Sequence, residues 1–434
     1  MSEQTPAPAP TPAPPTSPPT SPNPDSTSVS APVAGRLTVR EISADEAVDT
    51  LLELGGSFLQ TPAWGRAKQG WRRTHLGWFD ASGARVGAGL VLSRTIPRLS
   101  RSYAYLPEGP GLPWDLVAAE PARWLDPLVA WAKGRKAFAL RLGYPVVSRI
   151  WDREPVKKQV VENGLLSFTT LPTAVDNPTA RTLEAWLDRN GWLPLGADGV
   201  AVGQPRLLCI VDLRGRTEAE LLKGMNQQWR RNVKKAEKAG VQVRAVGPEG
   251  LDTFHDLYVE SAQRDNFLPR PKAYFDAMVR AFDSEGAAAS ETEPRVSARF
   301  YEAHVDGDVL ASALMIRFGR TFSYLYGGST ERNRDARASN ALQWQAMRDA
   351  SAAGCDAYDF RGFNTSLGAT SPLTGLLLFK LGAGADVVEM VGERELVISR
   401  FWHFAFARAM AARIAINKRR KAARASTDAD AADV

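Results

Sequence analysis

The order of patterned segments along this chain runs through one course twice, and that duplication limits the folds open to it. The first series starts near Arg36 with LTVREIS, which reads as a strand. A helical stretch (ADEAVDTLLELG) follows, then FLQTPAWGRAKQGW, a turn leading into a helix. VGAGLVLSRTI and RSYAYLPEGP read as paired strands ending in a Gly-Pro loop. PARWLDPLVAWAKGRK is an amphipathic helix, and KAFALRLGYPVV a buried strand closed by Tyr144-Pro145. After a loop-rich stretch near 165–180 the course begins again. RTLEAWLDRNGW is a helix, LLCIVDL a strand, and TEAELLKGMNQQWRRNVKKAEKAG a basic helical segment closed by Gly240. VQVRAV is a strand, and helices cover DTFHDLYVESAQRD and PKAYFDAMVRAF. Strands then run from VSARFYEAHV to SYLYGG, with turns at Asp306-Gly307 and Gly319-Arg320. A helix (ASNALQWQAMRDASAAGC), a strand (DAYDFRGF), a strand end in GLLLFKLGAG and a further strand (DVVEMVGERELVI) lead to a terminal helix, FWHFAFARAMAARIAINKRRK. The chain is therefore expected to be mixed α/β, duplicated in structure rather than in sequence.

Composition narrows the chemistry. The chain has 434 residues, two cysteines and four histidines. Cys209 and Cys355 lie far apart and outside any CxxC pattern, which points away from a disulfide scaffold or zinc site and towards a reducing, cytoplasmic setting. HExxH and GxSxG are both missing, so common metal and triad chemistries lack their parts, and no metal site is expected. Residues 1–35 hold eleven of the 29 prolines and almost no large apolar side chain, and read as a disordered tail without a secretory h-region. No apolar run reaches the ~18 residues of a spanning helix. The net charge is +6, and much of the cationic density falls in RRNVKKAEK (230–238) and INKRRKAARA (416–425), segments suited to a polyanion.

The second half resembles the acyl-CoA N-acetyltransferase (GNAT) fold, in which an acyl donor's pyrophosphate rests on a glycine-rich turn opening a helix. Here the matching stretch has no glycine between Ser329 and Asn340. That absence argues against a coenzyme A nest and towards another activated acyl group, with no cofactor.

Eight motifs then line up with the FemABX aminoacyltransferases, which the chain resembles from about residue 36 to 421. They are QTPAWGRAK (60–68), YLPEGPG (105–111), RRNVKKAEKAGV (230–241), RPKAYF (270–275), YLYGGS (324–329), SNALQWQAM (339–347), YDFRG (358–362) and FKLGAG (379–384). The KGMNQQWRRNVKKAEKAG region is too short for a coiled-coil arm, so the resemblance is to the armless, FemX-like type. It implies two GNAT-like domains: 36–180 plus 401–421 for the acceptor and 181–400 for catalysis, with tails at 1–35 and 422–434. It further implies transfer of glycine, alanine or serine from aminoacyl-tRNA to the side-chain amine of lysine or ornithine in a peptidoglycan precursor.

Residue roles follow from the same resemblance. Lys380 would stabilise the oxyanion formed when the amine attacks the ester, beside Phe379 of the same motif. Lys68, Arg270 and Tyr274 would meet the acceptor's diphosphate. Tyr324 and Tyr326 alternate on a strand, so both are expected on one face, lining the acceptor channel. Asp359 is expected to be structural. Arg230, Arg231, Lys234 and Lys235, with Lys418, Arg419, Arg420 and Lys421, are the natural tRNA phosphate contacts. The terminal helix is expected to pack on the first domain, with peripheral membrane contact as its other use. The protein is expected to be a monomer. Two departures stand out: Tyr144 where the family often has an acid before proline, and Ala383 where it has an aromatic residue. A non-catalytic binder of tRNA or precursor, or an acyltransferase with another donor, are the rival readings.

Overall fold

The computed structural model describes residues 35–410 and 412, apart from 97–98, 164–170, 196–202, 289–295 and 364–371. The Pro-rich tail and Lys418–Lys421 thus lie outside the described residues. In chain order the strands are β1 (Thr38–Glu41), β2 (Arg72–Phe79), β3 (Arg85–Thr95), β4 (Ser102–Leu106), β5 (Ala137–Trp151), β6 (Val175–Asp176), β7 (Trp192–Pro194), β8 (Leu207–Asp212), β9 (Gln242–Val246), β10 (Val296–Val305), β11 (Asp308–Phe318), β12 (Thr321–Ser329), β13 (Ala357–Gly362) and β14 (Asp386–Val397). The helices are α1 (Ala44–Glu53), α2 (Pro62–Ala67), α3 (Trp114–Ala119), α4 (Pro121–Gly134), α5 (Arg153–Asn163), α6 (Pro178–Arg189), α7 (Glu218–Gly224), α8 (Gln227–Lys238), α9 (Leu251–Arg264), α10 (Lys272–Ala288), α11 (Ala338–Ala352) and α12 (Pro372–Gly382). A further helix covers 400–410.

The duplication is visible in the strand pairing. β1 to β4 form an antiparallel ladder that ends in the parallel pair β4/β5. β9 to β12 repeat it and end in the parallel pair β12/β13. One sheet in the order β1-β2-β3-β4-β5-β14-β8-β13-β12-β11-β10-β9 carries both series. β14 is the seam, bonding β5 along one edge and β8 along the other.

Apolar packing reinforces the seam. One core is built from both series: Phe58 and Trp64 from the first meet Phe254, Phe275, Phe282 and Phe300 from the second. Phe58 lies 6.2 Å from Phe282, ring centre to ring centre. Burying each such side chain contributes roughly 1.5–3 kcal/mol, enough to fix how the halves face each other.

Two expectations about local structure fail. Tyr144-Pro145 does not close a strand; β5 runs on to Trp151. The pairing of β14 jumps from Gly392 opposite Tyr144 to Met390 opposite Val147, and this irregularity absorbs the proline's missing donor. GLLLFKLGAG is not a strand end but the last turns of α12. A short apolar run has no period that separates strand from helix. Here Leu377 and Leu381, four apart, are both buried, Pro372 opens the helix, and Gly384 (φ +96°) turns the chain beyond it.

Candidate functional site

Lys68 caps the C-terminal end of α2, where Thr61 accepts the backbone N–H of Trp64 to start the helix. Its ammonium lies 3.8 Å from the centre of the Trp64 ring and donates to the Tyr274 hydroxyl at 3.3 Å. Tyr274 OH is 3.4 Å from Tyr326 OH, and the Arg270 guanidinium sits 4.8 Å from the Tyr274 ring centre. The fold therefore brings together Lys68 from the first series with Arg270, Tyr274 and Tyr326 from the second. Burial, with help from nearby Arg270, pushes the Lys68 amine down to about 8. No carboxylate bonds or ion pair to Lys68 or Arg270 is found among the described residues. Two cations held by phenols and indole, and without a counter-ion, form an anion-binding arrangement.

Lys380 is embedded instead. It is 3 % exposed, and its ammonium donates to the carbonyls of Arg361 (3.2 Å) and Gly362 (2.9 Å). Of three N–H donors two are thus used, leaving one for another acceptor. Burial draws its pKa below the ordinary lysine value. Phe379 packs on Trp229 at 4.7 Å, and its carbonyl accepts the Trp229 indole N–H at 2.9 Å, so α8 pins this turn of α12. A side chain at Gly382 would strike Trp229, which explains the glycine after the lysine. Ala383 is buried beside the same cluster, so its small size serves packing.

The carbonyls that hold Lys380 depend on two residues missed in the sequence. Arg361 has φ +59° and Glu108 has φ +54°, both in the left-handed region that arginine and glutamate rarely adopt. They form an ion pair with each other, and Arg361 also pairs with Asp359 at 3.1 Å. Ser57 donates to Glu108, and Gln204 accepts from Arg361 at 3.1 Å. Burial raises the pKa of Asp359, while Arg361 opposes the rise. Asp359 also accepts the Arg361 backbone N–H at 2.6 Å, which holds the turn, and it lines the cleft described below. A signal existed: two charges, in PEGP and DFRG, stand in turns where glycine is the easy choice. Gly143 packs so closely on the Glu108 backbone that an added Cβ would lie 2.6 Å away. Glu108 thereby lines the same cleft as Tyr144, the position where the family's acid is missing.

That cleft, of about 720 Å³, lies over the seam. Val147, Ile150, Ile210, Val388 and Met390 give it an apolar floor. Its lining has eight carboxylates (Glu108, Asp115, Asp152, Asp212, Asp356, Asp359, Asp386, Glu393) against two guanidiniums, Arg214 and Arg361. Six of these carboxylates are held in ion pairs by Arg141, Arg153, Arg214, Arg320 and Arg361, which leaves Asp115 and Asp152 without one among the described residues. Arg361 also lies 5.5 Å from the Phe58 ring centre, and Phe58 meets Trp64 edge-on at 5.6 Å, so the cleft and the Lys68 cluster share a wall.

Tyr324 and Tyr326 do not share a face. The β11/β12 pairing shifts between Leu314 and Met315, which places Tyr324 opposite Met315 and Tyr326 opposite Leu314. This bulge at Leu325 reverses the alternation. Tyr326 joins the Lys68 cluster, whereas Tyr324 packs on the other side near Phe360, at 6.3 Å. The glycine-free loop also differs from expectation. Asn333 (φ +48°) and Arg337 (φ +58°) take left-handed conformations there, so the missing glycine does not by itself exclude a backbone nest.

Of the basic residues on α8, Arg231, Lys234, Lys235 and Lys238 are exposed. Lys235 pairs with Asp335 at 2.8 Å, and Arg230 donates to the carbonyls of Lys223 and Met225 at the end of α7. No cluster of three or more His, Cys, Asp or Glu able to hold a metal occurs among the described residues.

Comparison with known proteins agrees with this architecture. Residues 223–369 match the acetyltransferase (GNAT) domain model. The lipid II:glycine glycyltransferases of Staphylococcus aureus strains USA300 and MRSA252 are each 24 % identical over 405 residues, covering 80 % of this chain and 89 % of theirs. The crystal structure of FemX superposes with a TM-score of 0.67 at 20 % identity, covering 85 % of this chain and 99 % of that one. The duplicated ladders are thus a tandem GNAT fold, and the chain is a FemX-like homologue of the lipid II:glycine glycyltransferases.

Proposed function

We propose that the protein is an aminoacyltransferase of peptidoglycan bridge formation. It moves an amino acid, with glycine favoured by its relatives, from aminoacyl-tRNA to a lysine or ornithine side-chain amine in a peptidoglycan precursor. The observation that carries the reading is the meeting of Lys68 with Arg270, Tyr274 and Tyr326 across the two halves, with no carboxylate paired to either cation among the described residues. It suits a diphosphate, and the adjoining cleft, with its apolar floor and polar rim, has room for the attached peptide.

In the reaction, the neutral amine attacks the ester carbonyl and a C–N bond forms. The C–O bond to the tRNA ribose breaks, and the proton lost by nitrogen balances the one gained by the ribose oxygen. The remaining N–H of Lys380 donates to the carbonyl oxygen as negative charge builds there. Arg361 and Gly362 hold the ammonium in place through their carbonyls, so little reorganisation accompanies the step. Arg231, Lys234 and Lys238 are exposed α8 cations available to phosphates. The domain division proposed is 36–180 with 401–421 for the acceptor and 181–400 for transfer. The test is incubation with labelled glycyl-tRNA and either UDP-linked pentapeptide or its lipid-linked form, read by mass. A precursor heavier by one residue is expected; no gain with glycyl-, alanyl- or seryl-tRNA on both acceptors overturns the reading.

A further inference from the structure

Nine large apolar side chains stand exposed among the described residues; two lie on the helix 400–410 and a third on the loop that meets this helix. Phe401 and Phe404, 71 % and 66 % exposed, lie three apart on the helix 400–410, and so on one side of it. Leu99, 40 % exposed, sits in the β3–β4 hairpin loop. That loop reaches the helix through Arg101, whose guanidinium is 6.0 Å from the Trp402 ring centre.

The helix is held in a way that keeps these rings outward. Phe406 stacks on Tyr103 at 5.6 Å and meets Phe138 at 5.2 Å, which fixes its inner face to β4 and β5. His403 bonds Glu395 at 2.7 Å, and the same carboxylate accepts from Tyr103 at 2.6 Å. Glu395 is therefore engaged beneath the helix. The outer face offers Arg400 and Arg408, the latter 6.0 Å from the Phe404 ring centre. In sequence, eight Lys or Arg residues and no acid occur from Arg400 to Arg424.

We propose that this patch, formed by Phe401, Phe404, Leu99 and the flanking arginines, docks the protein on an anionic lipid surface. Exposed aromatic rings beside cations are what interfacial binding needs: the rings enter the acyl boundary while guanidiniums meet lipid phosphates. The patch also stands where such docking would serve the proposed site. Tyr103, under the helix, and Tyr105 share one face of β4, about 7 Å apart along the strand. Tyr105 meets Trp71 at 6.3 Å, and Trp71 donates its backbone N–H to the carbonyl of Lys68. A diphosphate on Lys68 would thus lie a short way from a docked membrane, the position required of an acceptor carried on a lipid. This last step rests on the function proposed above; the docking surface does not.

The experiment is co-sedimentation of the full chain with vesicles of mixed phosphatidylglycerol and phosphatidylcholine, against phosphatidylcholine alone. Binding to the mixed vesicles is expected, weakened at least ten-fold in pure phosphatidylcholine and by added salt. Phe401→Ser combined with Phe404→Ser should weaken it about ten-fold at an unchanged melting temperature, and Leu99→Ser should weaken it less. If the double variant fails to fold, Leu99→Ser alone decides. Wild-type protein that ignores both vesicles, variants that bind as wild type does, or a double variant that changes only the oligomeric state each overturn the proposal. Vesicle binding without any aminoacyl transfer leaves this surface standing and removes the function; transfer to a soluble precursor without vesicle binding does the reverse.

Discussion

Lys68 and Lys380 are both lysines withdrawn from water, yet their surroundings differ in kind. Lys68 keeps company with Arg270, phenols and an indole, and among the described residues no carboxylate pairs with it. Lys380 is met by carbonyls whose position is set by a closed network of Arg361, Asp359 and Glu108. The first arrangement is completed only by an incoming anion. The second is complete already and has one donor to spare. Binding and chemistry are therefore expected to separate between the two clusters, and substitutions can test that separation.

The largest effect should come from Lys380→Met. Loss of the oxyanion donor is expected to lower kcat by roughly 10²–10³ while precursor affinity is kept, as followed by single-turnover transfer and by calorimetric titration. Loss of affinity as large as the loss of rate would erase the distinction. Next, Arg361→Gln leaves Asp359 buried and unpaired, at a cost of roughly 3–5 kcal/mol in a denaturant melt. Glu108→Gln should cost less, because Arg361 retains Asp359. On the binding side, Lys68→Met or Arg270→Ala should raise the acceptor KM about ten-fold or more, with kcat little changed.

The pH dependence has a sign set by Lys68. Burial holds its amine at about 8 in the free protein, below the ordinary lysine value of 10.5, so an arriving diphosphate restores a proton. Affinity should be flat below about pH 8 and fall above it, by up to ten-fold per pH unit, in titrations repeated across that range. Lys68→Arg should remove the fall. The smallest effect separates the two tyrosines. Tyr326→Phe loses the bond to Tyr274 and should raise the acceptor KM a few-fold, about 1 kcal/mol, whereas Tyr324→Phe should leave it unchanged.

How much of this was legible depended on what each motif encodes. Lys68, Arg270 and Tyr274 are legible through the resemblance carried by QTPAWGRAK and RPKAYF, and the end of α2, the first turn of α10 and the loop before it bring them to one point. The duplicated ladders were also readable, since turns and alternation mark antiparallel strands. The FKLG helix was not, because an apolar run as short as LLLF has no period to read. Tyr324 and Tyr326 were assigned one face because a bulge leaves no trace in alternation. Glu108 and Arg361 were passed over because their partnership joins positions far apart in sequence. The run β5-β14-β8-β13 in the joined sheet brings PEGP and DFRG face to face.

The most direct measurement is the kinetic split between Lys68→Met and Lys380→Met in one transfer assay, using glycyl-tRNA and a lysine-bearing pentapeptide precursor. The account predicts that Lys68→Met acts on the acceptor KM and Lys380→Met on kcat. Two variants that both transfer glycine as the unchanged protein does, or that fail in the same parameter, would contradict it.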